Sequence, residues 1–137
     1  MSKRVLLCVA AGLLLGSPCA VAQDQKAAGA DGVQSEISMC ISYYIVLKGC
    51  VADRDRNLAE NTQKVMDALT ERAFKLGTEI GMTGDAMLTR LKTFQDDQMQ
   101  LIGRKCANIS SLSARHDERC KQVAKKGDAI LPGYLKK

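Results

Sequence analysis

Tryptophan is missing from this sequence, and only three tyrosines and two phenylalanines occur in 137 residues. An aromatic complement that small excludes the base-stacking platforms of single-stranded nucleic-acid binders. Histidine occurs once, at 116. Any Cys–His or Ser–His catalytic pair would have to use it. Charge of one sign is also scarce. The formal net charge is +5, falling to +3 without Lys3 and Arg4, and it is spread along the chain. That pattern offers no basic patch to a nucleic acid. No CxxC, CxxCH, HExxH, nucleophile elbow or phosphate-binding glycine loop is present. No apolar run beyond residue 15 could cross a bilayer.

The N-terminus carries an export pattern. Lys3 and Arg4 form a basic start, Val5–Leu15 is apolar, and Ala20-Val21-Ala22 is a small-x-small cleavage site. The pattern predicts a signal peptide over 1–22 and a periplasmic or secreted location. The apolar stretch is too short for a comfortable membrane anchor. Pro18 stands where a lipidated Cys19 would want a small residue. The remaining chain, Gln23–Lys137, is enough for one domain with one modest core. Cleavage removes Cys8 and Cys19 and leaves Cys40, Cys50, Cys106 and Cys120. An even count in an exported chain predicts two disulfides. Asn108-Ile109-Ser110 matches a glycosylation acceptor, so a eukaryotic secreted origin stays open.

Ser35–Val51 (SEISMCISYYIVLKGCV) is the organising stretch. At about 100° per residue, Met39, Cys40, Tyr43, Tyr44, Val46, Leu47, Cys50 and Val51 spread over one wide side, and Ile37, Ile41 and Ile45 cover much of the other. Between the two sides, Ser38, Ser42 and Gly49 form a narrow strip of small residues along which a neighbouring helix could approach closely. Apolar residues all round predict a buried helix. Ile, Val and Tyr also favour strands, but strict alternation is missing.

Before it, residues 23–34, which include the small and polar QDQKAAGADG, read as a disordered leader. After it, Asp53–Asn57 (DRDRN) reads as a solvated corner or a frayed joint. Leu58–Leu76 has a helical stripe of Leu58, Thr62, Val65, Leu69, Ala73 and Leu76, with Phe74 on the polar side and Gly77 and Gly81 at the end. Thr83 can cap a third helix, with Asp85 in its first turn. That helix carries Met87, Leu88, Leu91, Phe94, Met99, Leu101, Ile102 and Cys106 in an arc of about 160°, with Gln95 and Gln98 inside it. Ser111 or Ser113 caps a fourth helix running to Lys126, with Leu112, His116, Cys120 and Val123 on one face and Gly127 as its stop. The tail, residues 128–137, offers Ile130, Leu131, Tyr134 and Leu135 as docking residues around a Pro132-Gly133 turn. The pattern predicts an all-α fold over 35–127, a small disulfide-stapled bundle of about four helices.

Each candidate site has a plainer reading beside it. Cys40 and Cys50 are ten apart and Cys106 and Cys120 fourteen apart, so neither pair has a chelating spacing. His116 and Cys120 share a helical face and could ligate, but an oxidising compartment favours disulfides. Asp96 and Asp97 are neighbours on a helix and cannot face one site, which leaves a paired-carboxylate mechanism without support. Lys125-Lys126 and Lys136-Lys137 read as solvated termini rather than as a lipid contact. Tyr43 and Tyr44 need hydroxyl partners if buried, or they rim a ligand pocket. Gln95 and Gln98 either pair with tyrosines or serines, or mark a surface kept for a partner. Together with Phe74, these residues are the candidate partner contacts. No catalytic, cofactor or metal residue is assigned.

The cysteine pairing follows from helix geometry. Ten residues along one helix separate Cys40 from Cys50 by about 15 Å, against the ~5.5 Å between Cα atoms of a disulfide. Each must therefore take a C-terminal partner. In an up-down-up-down bundle, the first and third helices end at the same level, which brings Cys50 to Cys106. Cys120 then lies about 13.5 Å down the fourth helix, near Cys40. The expected pairs are Cys40–Cys120 and Cys50–Cys106. In a square bundle the first and third helices are diagonal, so this pairing requires a skewed top or an arrangement nearer to three helices.

Cys40-x9-Cys50 resembles half of a twin Cx9C hairpin, but the second spacing is x13 and the N-terminus is secretory. With its signal sequence, its CISYYIVLKGC helix and two downstream cysteines, the chain resembles the small exported helical proteins common in proteobacteria. In shape it is similar to periplasmic immunity proteins and acid chaperones. The expected function is a non-enzymatic, exported helical module that binds another envelope or secreted protein in an immunity-, inhibitor- or chaperone-like way. The alternative is a structural or stress-protective envelope protein without a specific ligand.

Overall fold

A computed structural model describes residues 18–126, with side chains from residue 28 onward. Residues 1–17 of the expected signal segment and the tail from 127 lie outside the described residues. The expected cleavage point after Ala22 falls in the first turns of α1. The elements are α1 (Pro18–Val51), α2 (Arg56–Glu79), α3 (Gly84–Leu101), a 3₁₀ turn at Cys106–Asn108, and α4 (Ile109–Lys126). No strand occurs among the described residues.

The bundle has one helix at its centre. α1 packs against α2, α3 and α4, whereas those three touch one another only slightly. This explains the apolar circumference of α1: Ile37, Ile41, Tyr43, Tyr44, Val46 and Leu47 point in several directions and are all buried. It also removes the diagonal difficulty, since a central α1 neighbours α3 directly. Cross-links give the directions. Lys48 meets Gln63 and Gln34 meets Ala73, so α2 runs antiparallel to α1. Arg90 meets Asp31 and Cys106 meets Cys50, so α3 runs with it. Tyr43 meets Ser113 and Cys40 meets Cys120, so α4 runs back.

Local chemistry sets the helix ends. Asp55 caps α2 by accepting from Leu58 N–H at 2.9 Å, which separates α1 from α2 at the charged corner. Thr83 caps α3 as expected, accepting from Ala86 N–H at 3.2 Å. Both α2 and α3 stop in Schellman motifs. At α2, Gly81 has φ +80°, with Gly81 N–H donating to Thr78 and Met82 N–H to Gly77. At α3, Gly103 has φ +59°, with Gly103 N–H donating to Gln100 and Arg104 N–H to Met99.

The structure differs from the sequence-based expectation in three places. The stretch 23–34, expected as a disordered leader, is helical and belongs to α1. Its far end contributes core: Ala30, Val33 and Gln34 are buried. Alanine is the best helix former, and Ala30, Val33, Gln34 and Ile37 keep the three-and-four spacing of the core face, while Gly32 stays outside. Second, α3 stops at Leu101, so Cys106 lies beyond the reversal at Gly103-Arg104 rather than on the α3 face. Third, α4 starts at Ile109, ahead of the expected serine caps. Asn108 ties this corner down by donating its side-chain amide to the Ile102 carbonyl at 3.0 Å.

Candidate functional site

Three places gather the candidate residues: the α1–α4 seam, the α1–α3 seam and the surface between α2 and α4.

Tyr43 is fully buried at the α1–α4 seam. Its hydroxyl lies 3.3 Å from Ser113 Oγ and 3.4 Å from Asp117 Oδ1. The other oxygen of Asp117 accepts from Lys121 Nζ at 2.6 Å, so the buried phenol connects outward to an exposed cation. Burial holds the Tyr43 phenol above its usual range, and burial, reinforced by Tyr43 and Asp117, pushes Tyr44 up to about 12. His116 packs its ring 5.9 Å from that of Tyr43. Its Nε2 is buried with no hydrogen-bond partner. Desolvation, then the charges of Arg115 and Arg119, lower its pKa below 6.5. All three causes favour the neutral ring. Cys120 is bonded to Cys40, so the His116–Cys120 ligand pair does not form. Both tyrosines are buried, so they are core groups here and not exposed partner contacts.

A neutral His116 predicts a specific pH response. Protonation competes with folding, so the full contribution of the neutral ring is present above pH 6.5. It is lost as the pH falls from there toward the lowered folded value, since the unfolded chain takes up the proton first. Urea unfolding at pH 8 and pH 5.5 checks this. The wild type should lose more stability between the two pH values than His116→Gln does. Equal losses would show that the ring carries no such linkage.

The small strip on α1 seats α3. Ser42 Oγ–H donates to the Leu91 carbonyl at 2.8 Å, which places the α3 backbone against the α1 surface. Ser38, one turn earlier, is also fully buried. Gly49 does not share this role, as the space beside it is open. Gln98 is 3 % exposed and donates to the Met39 carbonyl at 3.1 Å. Gln98 is therefore a packing residue rather than a partner contact, and its amide meets a backbone carbonyl instead of the tyrosines or serines. Gln95 is half-buried on the same helix. The Oε1 of Gln98 is buried without a partner. A similar-sized Gln98→Met should accordingly leave stability within about 1 kcal/mol or raise it, because it removes an unsatisfied acceptor. A loss above roughly 2 kcal/mol in denaturant unfolding would show that the bond to Met39 outweighs that acceptor.

Gln34 is a structural residue that the sequence reading passed over. It is fully buried, donates weakly to the Ala73 carbonyl at 3.5 Å and accepts from Arg90 Nη1 at 2.6 Å. Arg90 continues to Asp31 at 2.8 Å. One amide thus joins α1, α2 and α3. The only signal in the sequence is its register with Val33 and Ile37.

The remaining surface is apolar in places. Leu88 is 56 % and Leu101 51 % exposed, on the α3 arc that the bundle covers incompletely. Phe74 is half-buried and remains a candidate contact. Between α2 and α4, a groove of 220 Å³ is lined by Lys64, Val65, Ala68, Leu69, Arg72 and Ala124. It exists because α2 and α4 are each held to α1 and hardly to one another. The sequence reading missed it, since the two sides lie far apart in the chain. Among the described residues, no three His, Cys, Asp or Glu side chains come together as a metal site, and no helix is long and apolar enough to cross a membrane.

Comparison with protein-family models, curated proteins and solved structures finds no match for this chain.

Proposed function

We propose that this chain is an exported, non-enzymatic helical module that binds another protein through the α2–α4 groove. The groove carries the reading. Val65, Ala68, Leu69 and Ala124 give it a mostly apolar lining, with Lys64 and Arg72 completing the wall. Its 220 Å³ lies below the ~300–1,000 Å³ usual for small-molecule pockets. It suits one or two apolar anchor side chains of a protein segment, the pattern by which a few buried residues carry most of an interface. Both disulfides fit an exported chain.

Affinity capture from an extracytoplasmic extract tests the proposal. Ala68 is exposed, so Ala68→Glu places a charge in the groove without disturbing the core. A protein retained by the wild type and lost with Ala68→Glu is the expected result. Nothing retained, or equal retention by both, overturns the reading.

A further inference from the structure

We propose that the outer bridge, Cys50–Cys106, is a thiol-exchange site, at which a small thiol bearing a carboxylate forms a reversible mixed disulfide with Cys106. This site is separate from the α2–α4 groove and does not depend on it.

Access comes first. Cys40 and Cys120 are both fully buried. Cys106 is exposed at the end of the bundle, while Cys50 is only 9 % exposed. Exchange requires a thiolate to reach one sulfur of the bridge, so attack is directed to Cys106. Charge comes second. Arg104 and Lys105 directly precede Cys106, and both are exposed. Arg104 has φ 57°, so the reversal of the chain sets this pair of cations immediately ahead of the bridge. Arg54 Nη2 donates to the Cys50 carbonyl at 2.9 Å, which brings a third cation to the other half of the same bridge. The carboxylates beside Arg54 are Asp53 and Asp55, and Asp55 is occupied in capping α2. Cations therefore prevail around Cys50–Cys106, and they attract an anionic thiol and repel a cationic one.

The exchange balances without a further reagent. The thiolate attacks Cys106 Sγ, the bond to Cys50 breaks, and Cys50 leaves as a thiolate that takes a proton from water. The incoming sulfur is oxidised and the Cys50 sulfur is reduced. A neighbouring cation stabilises a thiolate, so Arg54 favours the departure of Cys50. Opening this bridge leaves the bundle pinned. Cys40–Cys120 still ties α4 to α1, and Asn108 still donates to the Ile102 carbonyl. The Cα atoms of Cys50 and Cys106 stand 5.1 Å apart, so the Cys50 thiolate can expel the added thiol and reseal the bridge.

Timed exposure of the purified full chain to 3-mercaptopropionate or to cysteamine tests this, with N-ethylmaleimide quenching and peptide mapping. The first product should carry the added thiol on Cys106 and the maleimide on Cys50, with the helical circular dichroism retained. Arg104→Asn combined with Lys105→Glu should slow 3-mercaptopropionate by about threefold or more and speed cysteamine. Asparagine accepts the left-handed φ of position 104, so the turn is kept. Raising the salt concentration on the unaltered chain should also slow the anionic thiol and speed the cationic one. Four results overturn the proposal: no adduct with either thiol, an adduct first on a cysteine other than Cys106, loss of helix when the adduct forms, or equal responses of the two thiols to the charge variant and to salt.

Discussion

Replacing Cys40 and Cys120 together by alanine is expected to lower stability by about 4–5 kcal/mol, a large share of the roughly 5–15 kcal/mol that folded domains have. The bridge spans 80 positions of sequence, and a loop that long removes a large amount of freedom from the unfolded chain. Both cysteines are fully buried midway along the core, so the variant also leaves space that α1 and α4 must close. Their Cα atoms stand 5.3 Å apart, and among the described residues no other disulfide joins α4 to α1. The second bridge, Cys50–Cys106, spans 56 positions and has a similar entropic value, about 4 kcal/mol. Its surroundings differ, because Cys106 is exposed at the end of the bundle. A mild thiol should reduce it first and leave Cys40–Cys120 closed. Denaturant unfolding of the two double variants, with peptide mapping after partial reduction, checks both points. A loss under about 2 kcal/mol for the Cys40/Cys120 variant would show that helix packing alone carries the fold. Simultaneous reduction of both bridges would show that burial does not protect the inner one.

The pairing of these cysteines was legible because it needs only helix rise and direction. Two cysteines ten residues apart on one helix cannot meet, and antiparallel return fixes the rest. The all-α character and the helix centred on Ser35–Val51 were legible for the same local reason. The disordered reading of residues 23–34 failed because it weighed polarity over register: Ala27, Ala28 and Ala30 are cheap to fold as helix once Val33 and Gln34 have a core to enter. The extent of α3 failed because a stripe continues across a Schellman stop, and Ile102, the cap residue, is itself fully buried. The candidate contacts Tyr43 and Tyr44 failed as surface groups because one helix with neighbours on three sides leaves them no outer face, and Gln98 failed because it lies on the side of α3 that packs against α1. Gln98 reads as polar in the sequence, yet its partner is a backbone carbonyl, which no residue pattern displays. The groove was illegible for a related reason. It depends on two helices that do not pack tightly together, and loose packing has no local sequence signature.

Tyr43 gives the sharpest single-residue test of the central-helix architecture. Its side chain is fully buried, with Tyr44 at 5.1 Å and His116 at 5.9 Å between ring centroids. Truncation in Tyr43→Ala empties the α1–α4 seam and is expected to cost about 3–5 kcal/mol, as for other buried aromatics. Tyr43→Phe keeps the ring and removes only the hydroxyl. Asp117 keeps Lys121, and half-buried Ser113 is open to water, so about 1 kcal/mol should be lost. The two variants separate packing from hydrogen bonding at one position. Alkaline pH adds a second reading. The phenols are held neutral in the folded state, Tyr44 up to about 12, while an unfolded tyrosine ionises near 10. Their contribution is therefore complete below pH 10 and is lost as the pH rises through the folded values. Tyr43→Phe, which has no proton to lose there, should destabilise less steeply than the wild type above pH 10. A Tyr43→Ala loss under about 1.5 kcal/mol, or identical alkaline slopes for wild type and Tyr43→Phe, would place this ring outside the core and undo the assignment of α1 as the helix on which the others are hung.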